Sequence, residues 1–195
     1  MEKFDNVVWE GRFQPIHIGH LAYIDKLLNY GNNVWIYVVA NENSMDLNME
    51  KSHLVVPEFT KIVDPHHRPE KNILPFWLRY KIVWETIREE FGPSAPIYIS
   101  GGRRLDLGWD LYKKILPPNR VFITPKRDSF EDEKAKAWKT LGETCERIEV
   151  DDLPNISATM IRERIANGQS VNDLLSTTTI RLLKEYGYLK KLEEI

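Results

Sequence analysis

"NVVWEGRFQPIHIGHLAYIDKLLNYGNNVWIYVVA", residues 6–40, is the stretch on which the fold turns. Its ends, "VVW" (7–9) and "VWIYVVA" (34–40), are short, rich in β-branched residues and almost continuously apolar, the pattern of strands covered on both faces. Between them, "HLAYIDKLLNYG" sets Leu21, Ile24 and Leu28 on one helical face and runs into Gly31, a C-terminal stop. Strand one is expected at 7–10 and the helix from Pro15 or Ile16, because proline presets a first-turn φ and gives up an N–H that would be unpaired there anyway.

The alternation continues outward. "PIYIS" (96–100), "VFIT" (121–124) and "RIEV" (147–150) read as further buried strands. "PFWLRYKIVWETIREEF", opened by Pro75, "DLGWDLYKKIL" and "EDEKAKAWKTL" read as helices, the last with its acids in the first turn, where the helix dipole favours them. This order predicts an α/β fold, a doubly wound, Rossmann-like parallel sheet of five strands. Residues 41–73 interrupt the rhythm as a long, polar, irregular loop, a length that usually serves function in a compact domain. After the last strand the pattern is helical, so a core over 1–152 and a small C-terminal helical subdomain over 153–195 are expected.

The chain of 195 residues suits a single core of ordinary size. A net charge of −2 argues against a bulk nucleic-acid or membrane binder. One cysteine, Cys145, excludes an intrachain disulfide and an all-cysteine metal site, which fits a reducing compartment. The N-terminus carries no apolar run of signal length, and the expected location is the cytoplasm.

Chemistry concentrates in two places. "GRFQPIHIGH" (11–20) leaves the carboxyl end of a strand, where doubly wound sheets bind ligands. His17 and His20 are spaced to share one face of a helix start, Gly19 lets a ligand approach the backbone, and Arg12 adds a guanidinium suited to phosphate. The second place is "ISATMIRER" (156–164). Ser157 is a natural N-cap, Thr159 and Arg162 share a face, and Arg162 leans back over the helix N-terminus, while Ala158, Ile161 and Ile165 form a stripe for packing.

Together "HIGH" (17–20) and "ISATMIR" (156–162) resemble the nucleotidylyltransferase superfamily, and "GRFQP" is most similar to nicotinamide mononucleotide adenylyltransferases. The resemblance implies transfer of a nucleoside monophosphate from a triphosphate, ATP first, to a small phosphorylated acceptor, with Mg²⁺ and release of pyrophosphate. His17, His20 and Arg162 would be catalytic. Gly11, Arg12, Phe13, Gly19, Ser157 and Thr159 would bind nucleotide, and no protein-built metal cage is expected. For the acceptor, Lys51, Arg79, Gly101, Gly102, Arg103 and Trp109 are candidates: basic side chains for phosphate, glycines for close backbone approach, an indole to stack on a ring. Asp64, His66, His67 and Glu70 in "DPHHRPE" read as a solvated loop rather than a metal site. The expected partners are the triphosphate and acceptor, with no nucleic acid and no membrane, and relatives of this kind commonly assemble as homo-oligomers. The alternatives are a cytidylyl- or adenylyltransferase for another phosphorylated or phosphonate metabolite, and a nucleotide-sensing module.

Overall fold

The computed structural model describes residues 2–40, 57–66 and 71–193. Five strands, β1 (Phe4–Gly11), β2 (Gly31–Val39), β3 (Ile97–Gly102), β4 (Arg120–Pro125) and β5 (Cys145–Ile148), form one parallel sheet in the order β3-β2-β1-β4-β5. β1 is central, and the order reverses across it, which places the switch-point crevice at the carboxyl ends of β1 and β4.

The strands alternate between two apolar layers because successive side chains point to opposite faces. Val7 and Trp9 of β1 join a core completed by α1 (Ile18–Leu27) and α3 (Phe76–Phe91) through Ile24, Leu27, Leu78 and Ile82. Val8 faces the other way, into a second core with Trp109 of α4 (Trp109–Ile115) and Trp138 of α5 (Ser129–Thr140). The late helices α6 (Ala158–Ala166), α7 (Thr177–Glu185) and α8 (Tyr188–Glu193) bury Ile161, Ile165, Leu182, Leu183 and Leu192 in the same core as α1 and α3. Ile18 N–H donates to the Leu174 carbonyl at 3.0 Å, so the chain after β5 is tied to the start of α1.

Several boundaries differ from the sequence expectation. The first helix begins at Ile18, with His17 as its N-cap, so Pro15 lies in the preceding turn and not at a first helical position. β5 runs Cys145–Ile148, two residues earlier than "RIEV". The stretch 41–73 is not wholly irregular: α2 (Pro57–Val63) and a 3₁₀ turn at Asp64–His66 fall within it. Among the described residues no helix is long and apolar enough to cross a membrane.

Candidate active site

A cavity of about 900 Å³ opens at the carboxyl end of the sheet, and its wall includes His17, His20, Arg12, Ser157, Thr159 and Arg162. Two segments far apart in sequence therefore meet in one crevice. Gly19 is part of the reason. A Cβ there would sit 3.0 Å from the Pro154 carbonyl, so glycine lets the β5–α6 connection pass against the start of α1. That close passage is what the structure shows for Gly19, in addition to its place in the cavity wall.

The two imidazoles form a reciprocal cap. His20 N–H donates to His17 Nδ1 and His17 N–H donates to His20 Nδ1, both at 3.3 Å. An imidazole nitrogen that accepts is unprotonated, so each neutral ring carries its hydrogen on Nε2. The rings stack with centroids 3.6 Å apart, and Trp9 and Phe13 pack around His20. Burial, followed by the charge of Arg127, brings the His17 pKa down to about 4. Burial, His17 and Arg127 hold His20 well below the usual imidazole range. Both side chains are thus neutral N–H donors at physiological pH.

Arg12 and Arg162 line the same cavity, as do Lys71, Lys126 and Arg127. Arg12 donates to the His66 carbonyl and to Asn72 Oδ1. Burial first, then the charges of Arg162 and Arg79, lower its pKa to about 10, which still leaves the guanidinium charged at neutral pH. Arg162 donates to Thr159 Oγ1 at 3.2 Å across one turn of α6, whose N-cap Ser157 accepts from Met160 N–H at 3.1 Å. Like charges gathered in one crevice, beside two helix N-termini, suit a polyanion.

Phe13 is held at a φ of +52°, an uncommon conformation for a bulky residue, with its ring buried against Trp9. Gly11 has that ring within 2.9 Å of where a Cβ would stand. Both line the cavity.

The acceptor candidates fare differently. Arg79 is fully buried and donates to the carbonyls of Leu74, Arg12 and Val39, so it holds the β1 and β2 ends together and does not line the cavity. Trp109 is buried between Phe122 and Trp138 in the second core, so its indole has no open face to offer a ligand. The space beside Gly101 holds Val38 and Phe76, and that beside Gly102 holds the hydroxyls of Tyr37 and Tyr112; the protein's own atoms make the close approach there. Arg103 is exposed and outside the cavity wall. Lys51, His67 and Glu70 lie outside the described residues. His66 belongs to the half-buried cavity wall rather than to a solvated loop, because its carbonyl is tied to Arg12 and Asn72.

Sequence reading missed a buried charged cluster in the same wall: Glu10, Arg104, Asp106, Glu131 and Lys134. Arg104 grips Asp106 at two points, 3.1 and 2.6 Å. Lys134 Nζ donates to the Glu10 carbonyl at 3.1 Å and stands 3.7 Å from the Glu10 carboxylate and 3.8 Å from that of Glu131. Burial drives the Glu10 pKa up to about 7, against the pull of Lys134. The signal was present. Glu10 shares the inward face of β1 with Val8, and Glu131, Lys134, Ala135 and Trp138 fall at i, i+3, i+4 and i+7 on the buried side of α5.

The chain is similar to several known proteins. A curated relative from Salmonella typhimurium, described as a nicotinate-nucleotide adenylyltransferase, is 26% identical over 205 residues, spanning 91% of this chain and 94% of the relative. Among solved structures, a Francisella tularensis bifunctional NMN adenylyltransferase/ADP ribose pyrophosphatase, complexed with AMP and a Mn ion, superposes with a TM-score of 0.58 at 19% identity. The match covers 98% of this chain and 52% of that one, so this chain spans about half of the bifunctional protein. A Vibrio parahaemolyticus structure gives a TM-score of 0.61 at 16% identity over 97% of each chain. Residues 8–164 match the cytidylyltransferase-like family, and with most of its length inside that match the chain belongs to this family of nucleotidylyltransferases.

Proposed function

We propose that the chain moves the adenylyl group of ATP onto the phosphate of nicotinate or nicotinamide mononucleotide, forming a dinucleotide and releasing pyrophosphate. The observation that carries the reading is the meeting of His17, His20 and Arg12 with Arg162 in one cavity. An oxygen of the acceptor phosphate attacks the α-phosphorus, and the bond from that phosphorus to the β-phosphate bridging oxygen breaks. No covalent enzyme intermediate is needed, so positioning and charge stabilisation are what the residues supply. The Nε2–H groups of His17 and His20 donate to the α-phosphate as its charge builds. Arg162, with Thr159 and Ser157, holds the β- and γ-phosphates, Arg12 adds a further phosphate contact, and the Gly11–Phe13 backbone lies along the nucleoside. Support for ATP and for a pyridine mononucleotide comes from what the curated relatives are described as doing.

Magnesium is the metal this reading expects. The groups facing the polyphosphate are N–H donors, and Asp128 and Asp151 are carboxylates lining the β4–β5 side of the cavity. A hard cation there would keep mainly phosphate and water oxygens as ligands, and its chemistry is neutralisation of the departing pyrophosphate. Pyrophosphate release measured with ATP and CTP, each against the two mononucleotides and a set of phosphorylated and phosphonate metabolites, tests the proposal. Release with ATP and a pyridine mononucleotide is expected. No release with either mononucleotide refutes it.

A further inference from the structure

We infer that Asn72, which stands outside the cavity wall, is a positioning residue: with the carbonyl of His66 it fixes the guanidinium of Arg12 in the orientation that receives phosphate. This rests on the reading above, in which Arg12 contacts phosphate, and names what aims it. The three groups close a triangle. Arg12 Nη1 donates to the His66 carbonyl and to Asn72 Oδ1, the latter at 3.3 Å, and Asn72 Nδ2 donates to the same His66 carbonyl at 2.9 Å. The neighbours fix which way the amide is turned, since its oxygen meets a cation and its nitrogen a carbonyl.

The triangle stands on a rigid base. Leu74, two residues on, donates its N–H to Gln14 Oε1 at 3.0 Å and accepts from Gln14 Nε2 at 3.1 Å. Arg79 links the Leu74 carbonyl to that of Arg12, at 2.9 and 2.6 Å. The backbone of Arg12 is thus held by Arg79 and its side chain by Asn72. His66 is steadied from the other wall, its ring 5.0 Å from that of Phe130 on α5. Among the described residues, both bonds of the Arg12 guanidinium use Nη1. The Nε–Nη2 edge is the one that grips a phosphate at two points. The charges acting on this half-buried cation are those of Arg162 and Arg79, both like its own, and its hydrogen-bond partners are neutral oxygens. Such a cation gains much from an anion. An arginine free to turn loses rotamer freedom on binding, so a partner that holds it beforehand raises phosphate affinity without touching the ligand.

Steady-state kinetics on the full chain test this. Arg12→Ala first shows which KM the guanidinium controls, that of ATP or of the acceptor. Asn72→Ala should raise the same KM by about fivefold to tenfold and leave kcat within about twofold, because a permanent cation holds ground and transition states alike. In the Arg12→Ala background the same substitution should change that KM by less than about twofold, since no guanidinium is left to aim. Equal effects in the two backgrounds mark a merely structural role and overturn the inference. Asn72→Asp keeps the shape but sets a carboxylate against Arg12, and should raise that KM further than Asn72→Ala does. A milder effect than that of alanine overturns the inference. The aspartate variant also decides the matter if either alanine variant does not fold: KM values for both substrates within about twofold of wild type refute the positioning role. If Arg12→Ala moves neither KM, Arg12 holds no phosphate, and the inference falls while the proposed reaction stands. If no acceptor supports turnover, the proposed reaction falls, and the same comparison is made on the Kd of ATP by calorimetry. There an Asn72→Ala effect that needs Arg12 upholds the inference, and its absence overturns it.

Discussion

Replacing Glu10 with glutamine should change how stability depends on pH in a way that few single substitutions can. In the native state Glu10 titrates near 7 instead of 4.5, held up by burial and by Asp106 and Glu131, against Lys134 and Arg104. The folded chain keeps a proton that the unfolded chain releases. The contribution is thus fully present below pH 4.5 and is lost as pH rises through 7. The shift corresponds to roughly 3 kcal/mol at 1.36 kcal/mol per pH unit. His17 works in the opposite sense. Its native pKa of about 4 lies below the ordinary 6.5, so its contribution is present above pH 6.5 and disappears as pH falls through 4, again by roughly 3 kcal/mol. His20 is shifted in the same direction as His17. The two effects overlap and oppose each other between pH 4.5 and 6.5. Glu10→Gln removes one of them and exposes the other. Guanidinium denaturation of the ligand-free protein at intervals from pH 4 to 8 measures this directly. On going from pH 4.5 to 8 the stability of the variant should change more favourably than that of wild type, by roughly 3 kcal/mol, because the histidine contributions are common to both. His17→Asn, which keeps an N-cap acceptor but cannot titrate, should deviate from wild type with the reverse sign. Stability curves for wild type and Glu10→Gln that run parallel across this range would refute the reasoning.

Other outcomes follow from the same contacts. His20→Ala and Arg162→Ala should each lower kcat by about 10²- to 10³-fold while the far-UV spectrum stays native, as measured by pyrophosphate release and circular dichroism. Ser157→Ala removes the oxygen that accepts from Met160 N–H, and should lower unfolding free energy by about 1 kcal/mol in a denaturant titration. Arg79→Met takes a donor from the carbonyls of Leu74, Arg12 and Val39, and should reduce stability by about 3 kcal/mol, read from the shift in denaturation midpoint.

What could be read from the sequence depended on how local the determining physics is. The alternation of "VVW" and "VWIYVVA" around an amphipathic helix specified the parallel sheet, because burial on both faces leaves a nearly continuous apolar run. Ser157 announced its helix because a hydroxyl is an ordinary cap. The start of α1 was misplaced because the capping acceptor is an imidazole, which propensity does not rank among the caps, and proline looked like the better opener. Trp109 sits in the core because β4 and α5 bring Phe122 and Trp138 to it, a fact of tertiary arrangement invisible in "LDLGWD". Arg79 is a similar case: only the fold reveals three carbonyls converging on one guanidinium. The charged cluster was legible in principle, since Glu10 and Lys134 occupy positions where the period of their elements calls for apolar side chains. A buried charge is rare enough that such positions are read first as solvent-facing, and its partners lie on other elements.

The spacing of the two histidines has a physical reason that unites the fold with the chemistry. His17 is the N-cap and His20 the third helical residue, the two positions whose side chains reach each other's backbone N–H in a capping box. With serine and glutamate there, the box would be equally good for the helix, but it would put a carboxylate where an anion must bind. Two imidazoles close the same box through Nδ1, and this fixes the tautomer with hydrogen on both Nε2 atoms. Stacking at 3.6 Å and burial then oppose protonation, so the rings stay neutral donors in the free protein. A developing negative charge on the α-phosphate strengthens those donors most when it is greatest, in the transition state, whereas permanent cations at that point would hold the ground state as well. The fixed charges come instead from Arg12 and Arg162. One local motif therefore starts the helix, orients two donors and keeps them uncharged, and moving either histidine by a single residue would lose all three.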